Sequence, residues 1–175
     1  LLRTVDDVTL YIGDRFHYAE LIAREWFAIL KKLKDDKVES LKELLRDHTL
    51  IGEYVGNPSY QHLVKYEKQG FLFYALVHKY SGDEVVNPRE ALEKIKSIGL
   101  QGIVQKEHSG IKTWAELNNK LKELYKAVRE SSIETKEEGL VLYIIRRSAD
   151  GTEKVVSLCK LKTLEYMIFR KLREK

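Results

Sequence analysis

Apolar and polar residues change period along this chain, and the changes mark out its elements. Val8–Ile12 alternates and predicts a strand, with Leu1–Arg3 as the tail of its partner. From about Tyr18 to Leu33 the spacing becomes helical, placing Ile22, Trp26, Ile29 and Leu33 on one stripe. A charged break over Lys31–Lys37 precedes a short helix, Val38–Arg46, carrying Leu41, Leu44 and Leu45. Thr49–Val55 reads as a strand ended by Gly56-Asn57-Pro58. Phe71–His78 is an aromatic-rich strand between Gly70 and the turn residues Ser81-Gly82-Asp83.

Two helix starts are written in their caps. Asn87 precedes Pro88 at the first helical position, with Glu90 three residues after the cap, and that helix ends near Gly99. Thr113 and Glu116 form a second capping box, opening a helix to about Ser131. Its apolar stripe is Trp114, Leu117, Leu121, Leu124 and Val128. Gly139–Arg146 and Glu153–Leu161 flank Ala149-Asp150-Gly151 and predict a β-hairpin. An amphipathic, basic helix, Leu164–Arg173, follows. Hairpins replace regular βαβ alternation, so the pattern predicts an antiparallel α+β fold, with residues 1–175 as the C-terminal part of a single domain.

Composition narrows the class. The 175 residues are 43% hydrophobic and 33% charged, which fits a globular chain and excludes disorder. A net charge of +4 and a pI near 9.0 permit an anionic partner without requiring one. Cys159 is the only cysteine, so no internal disulfide forms and an intracellular, reducing setting is expected. No apolar run reaches the roughly 18 residues of a membrane span, and no signal peptide is visible. The chain opens on Leu1 in what reads as the end of a strand, so further sequence is expected upstream.

Four charged side chains stand out within apolar strands. Glu53 shares a strand face with Ile51 and Val55, where a carboxylate is costly to bury without a partner. Gly52 beside it allows close approach of another group. Glu138 precedes Gly139 and an apolar run at the mouth of the predicted hairpin. Lys160 and Lys162 flank Leu161 and point to one face, where an anion or carboxylates would relieve their repulsion. The ordinary readings are an edge-strand acid for Glu53, a solvated acid for Glu138 and a solvated face for the lysines. Phe71–Val77 is mostly a core strand, although one ring could stack on a base. The five histidines lack zinc-ligand spacing, and no phosphate-binding glycine loop or hydrolase elbow is present.

In order and spacing these segments resemble the covalent nucleotidyltransferase superfamily, and within it the RNA ligase branch. Thr49–Gly56 is similar to its motif III, Phe71–Val77 to motif IIIa, Glu138-Gly139-Leu140-Val141 to motif IV and Lys160-Leu161-Lys162 to motif V. Tyr166 and Phe169-Arg170-x-x-Arg173-Glu174 resemble the segment after motif V, so the similarity runs from about Val8 to the C-terminus. The resemblance implies a ligase-type adenylyltransferase fold, incomplete at its N-terminus. It implies ATP as cofactor, AMP as the covalent intermediate, and Mg2+ or Mn2+.

By that resemblance Glu53 contacts the ribose, Glu138 helps bind the metal, and Lys160 and Lys162 contact the α-phosphate. Phe73 is the choice for base stacking, with Tyr74 or Ala75 as alternative alignments. The implied partner is RNA with 5′-phosphate and 3′-hydroxyl ends, alongside further domains of the same protein; the sequence does not single out tRNA halves, a damaged loop or generic ends. One departure is large. The family's nucleophile is the lysine of Lys-x-Asp/Asn-Gly, and this chain has no such motif. Its only Asp-Gly is Asp150-Gly151, with Ser148 where the lysine would stand. The fragment alone is therefore expected not to self-adenylylate. The rival readings are a DNA ligase, a capping guanylyltransferase, or a catalytically dead RNA-binding relative.

Overall fold

The computed structural model describes residues 2–5, 8–11, 19–56, 66, 69–82, 84–131 and 138–173. Within them the order is β1 (Leu2–Val5), β2 (Val8–Tyr11), α1 (Ala19–Lys32), α2 (Asp35–Asp47), β3 (His48–Val55), β4 (Gly70–His78), α3 (Pro88–Ser97), α4 (Trp114–Glu130), β5 (Gly139–Arg147), β6 (Glu153–Lys162) and α5 (Leu164–Arg173). The class is mixed α and β. The described strands pair as three antiparallel two-stranded sheets, β1-β2, β3-β4 and β5-β6. The expected turn at Asn57-Pro58 and the polar run Glu134–Glu137 lie outside the described residues. No described helix is long and apolar enough to cross a membrane.

Contacts divide the chain into two compact units. The first holds residues 1–55 and 69–103. Its core joins Trp26 of α1, Leu41 of α2, Phe73 of β4, Ile95 of α3, and Ile98 and Leu100 just beyond. Trp26 meets Phe71 and Phe73 edge-on at 5.9 and 5.6 Å, the arrangement that sets a positive ring edge against a negative face. Leu41, Leu76 and Ile95 are fully buried, and truncating such a side chain to Ala costs roughly 2–5 kcal/mol. The Asn87 carboxamide caps α3 by accepting from the Arg89 N–H at 3.0 Å. β4 is also bonded along its other edge: Phe73 N–H donates to Gln101, Ile103 N–H to Phe73, and Val86 N–H to Leu76.

The second unit holds residues 56–68 and 104–175. The capping box of α4 is formed in full: Thr113 Oγ1 accepts from Glu116 N–H, and Glu116 Oε2 accepts from Thr113 and Lys112 N–H. Val128, on the predicted stripe of α4, is buried. Trp114 departs from expectation at 81% exposure. Its phase on the stripe is correct, but it sits in the first turn, where no described element covers it. The β5-β6 hairpin closes through Asp150 and Gly151. Asp150 Oδ1 accepts from Thr152 N–H at 2.9 Å, and Gly151 adopts φ +84°. The Arg147 guanidinium grips Glu153 across the strands beside the turn.

Candidate functional site

The sequence-predicted residues fall into two groups, one in each unit. In the second unit, Glu138, Lys160 and Lys162 gather at the open end of the β5-β6 hairpin. The register sets Lys162 opposite Gly139 and Lys160 opposite Val141, so both lysines share one face. Gly139 is required here. Its φ is +152°, and an added Cβ would lie 2.0 Å from the Leu161 carbonyl oxygen. The close approach brings Glu138 alongside the end of β6, where Thr163 N–H donates to the Glu138 carbonyl at 3.1 Å.

Side chains complete the cluster. Glu138 Oε2 lies 3.5 Å from Lys162 Nζ. The same ammonium sits 4.1 Å from the centre of the Tyr166 ring. Tyr166 is held by the start of α5, because the buried Thr163 hydroxyl accepts from Tyr166 N–H at 3.2 Å and so caps the helix. Lys162 therefore lies between a carboxylate and an aromatic face. Lys160 is exposed one step along. The roles of Thr163 and Tyr166 were missed from sequence. Thr163 before Leu-Glu-Tyr is a readable cap, whereas the ring–ammonium contact depends on how α5 leaves β6.

In the first unit, Glu53 pairs with Leu72, and Gly52 with Phe73. Glu53 is exposed, so no desolvation demands a partner for it. Phe73 does not suit the stacking role expected of it. Its ring is 6% exposed, packed against Trp26 and Phe71, with no face open to a base. At the bulge between Ile51 and Gly52, Ile51 pairs with Ala75 and Gly52 with Phe73, leaving Tyr74 as the extra residue. Tyr74 is half-buried. Burial pushes its hydroxyl pKa up, and the Glu53 charge pushes it further. Tyr74 is thus the aromatic residue of β4 whose ionisation senses Glu53.

Among the described residues no group of three or more His, Cys, Asp or Glu side chains gathers to hold a metal. Glu138 is the one carboxylate among the predicted residues at the hairpin mouth, and it is ion-paired with Lys162. Comparison with protein-family models, curated proteins and solved structures finds no match to this chain.

Proposed function

We propose that this chain is part of an ATP-dependent RNA ligase, and that it contributes the residues that grip the nucleotide. The observation that carries the reading is the Glu138–Lys162 pair, 3.5 Å apart at the mouth of the β5-β6 hairpin, with Lys160 on the same face. Ammonium groups so placed stabilise negative charge on the α-phosphate as pyrophosphate leaves. Glu138 is the carboxylate for Mg2+ or Mn2+, which supplies Lewis-acid stabilisation of the phosphoryl oxygens.

The covalent step needs a lysine attacking the α-phosphorus with loss of pyrophosphate. That lysine stands in no Lys-x-Asp/Asn-Gly context here, so the step is assigned to a segment outside these 175 residues. AMP then passes to a 5′-phosphate RNA end, and the 3′-hydroxyl displaces it to seal the strand.

The test uses the full-length protein with labelled ATP or GTP and a nicked RNA, comparing wild type with Glu138→Ala and Lys160→Ala. Each substitution is expected to reduce adenylylation about a hundredfold or more, the usual cost of losing a group that stabilises transition-state charge. Circular dichroism should be unchanged. Sealing that survives both substitutions would reject the catalytic assignment. Labelling by GTP alone would favour a capping enzyme, and covalent AMP on the isolated chain would refute the assigned nucleophile.

A further inference from the structure

Helix α4 carries a second pattern beside its apolar stripe. At 3.6 residues per turn, Trp114, Asn118, Lys122, Tyr125 and Arg129 fall within an arc of roughly 80°. The three carboxylates of the helix, Glu116, Glu123 and Glu130, lie together on a different arc. The face therefore mixes two rings with two cations and holds no acid. Trp114 is 81% exposed and Tyr125 53% exposed, while Val128 on the apolar stripe is buried. The Trp114 ring is carried on a fixed backbone, because the Thr113–Glu116 capping box closes the turn it belongs to. Arg129 is held in place without being neutralised. Its guanidinium lies 5.8 Å from the centre of the Tyr125 ring, and Nη1 donates to the Met167 sulfur of α5 at 3.0 Å. Neither contact supplies a formal negative charge, and a thioether is a weak acceptor, so the guanidinium fork keeps donors for an oxyanion.

We propose that this face of α4 binds single-stranded nucleic acid. Trp114 is the platform for a base, since every base has a face that stacks on an aromatic ring. Lys122 and Arg129 contact backbone phosphates, the lysine as a point charge and the arginine through its planar fork. The stripe runs roughly 22 Å from Trp114 to Arg129 at 1.5 Å per residue, the reach of about six nucleotides stacked at 3.4 Å. Charge selects the occupant: the neighbours of the exposed ring along the stripe are Asn118, Lys122 and Arg129, which suit a polyanion rather than an apolar protein surface. A duplex keeps its base faces stacked on one another, so the ring selects a single strand.

The inference does not rest on the ligase reading. It needs neither ATP nor the residues at the hairpin mouth, so a strand binds here whether or not the full-length protein seals RNA.

The experiment titrates the 175-residue chain, without ATP or metal, with labelled oligouridylate of about 12 nucleotides, within the range of single-strand sites. Tryptophan fluorescence and the anisotropy of the strand are read together. Trp26 is 4% exposed, so quenching reports Trp114. Binding is expected to quench that emission and to weaken with salt at a log–log slope of about −1.4, for two phosphate contacts on a single strand. Trp114→Ala should weaken binding about five- to hundredfold and leave the salt slope unchanged. Lys122→Gln and Arg129→Gln should each reduce the magnitude of the slope by about 0.7, and Lys31→Gln in the first unit should not. Oligothymidylate of equal length says which nucleic acid fills the site, and duplex RNA should bind more weakly than either bound strand. Trp114 and Lys122 are exposed, so their variants keep the fold and decide the matter if Arg129→Gln does not. Anisotropy that rises without quenching, absence of binding by both strands, full binding by Trp114→Ala, duplex binding as tight as the strand, or an equal change of slope in Lys31→Gln overturns the proposal.

Discussion

Gly139→Ala tests whether the hairpin mouth is built around a missing side chain. The added Cβ would meet the Leu161 carbonyl oxygen at 2.0 Å and the Lys162 Cα at 2.9 Å. Both are backbone atoms, so rotating a side chain cannot relieve the clash. The φ of +152° adds conformational strain of roughly 1–3 kcal/mol for a non-glycine residue. Overpacking adds roughly another 1–3 kcal/mol. The sum centres near about 4 kcal/mol.

Gly151→Ala is the control. It sits at φ +84° in the same hairpin with nothing within 4 Å of an added Cβ, so it bears only the left-handed penalty of roughly 1–2 kcal/mol. Native-state hydrogen exchange of the Leu142 and Cys159 amides reads the difference locally. Gly139→Ala should speed their exchange about a thousandfold, at roughly 1.4 kcal/mol per factor of ten, and Gly151→Ala by no more than about thirtyfold. Gly139→Ala should also draw the Lys162 side chain out of the shielding of the Tyr166 ring. Equal effects from the two substitutions would refute the close approach.

Two further predictions concern ionisation. Tyr74 should lose its proton later than an ordinary tyrosine, because burial and then Glu53 raise its pKa above 10.0. The associated stability is complete below the unfolded-state value and fades as pH rises through the higher folded one. In ultraviolet titration, the wild type minus Tyr74→Phe difference should show a late-ionising phenol, and Glu53→Gln should move it partway back; a difference at or below the ordinary value refutes this. Glu116 is held below 4.5 by N–H bonds from Lys112 and Thr113. Its contribution to the start of α4 is present above the ordinary glutamate value and is lost as pH falls through the lower folded value. First-turn amide shifts should follow that titration in wild type and not in Glu116→Gln.

What was legible in the sequence follows from which signals are local. Caps are local: Asn87 and Thr113 marked α3 and α4 because the capping atoms lie within three residues of what they cap. The β5-β6 turn is local for the same reason. The lysine pair was readable because strand periodicity alone places Lys160 and Lys162 on one face. Phe73 is buried because Trp26 and Phe71 pack on it, and periodicity within one strand does not announce the contact with α1. Trp114 shows the converse: helical phase predicts which face a residue shares, but not whether anything lies over it.

The geometry around Lys162 has a consequence for ligand exchange. A site that exchanges a protein carboxylate for a phosphate needs its lysine held in place but not locked. The Glu138–Lys162 pair is partly exposed, with side-chain accessibilities of 20% and 37%, and an ion pair in that setting is worth about 0–1 kcal/mol. The contact with Tyr166 adds roughly 0.5–1 kcal/mol. A hydrogen bond from an ammonium to a phosphate oxygen contributes roughly 1.5–3 kcal/mol, enough to outweigh the loss of Glu138. The ring contact does not compete with the phosphate for hydrogen bonds, so Tyr166 can keep the ammonium in position while its carboxylate partner leaves. Under the proposed function, Glu138 would then be the residue available to hold a metal ion, while Tyr166 keeps Lys162 in place.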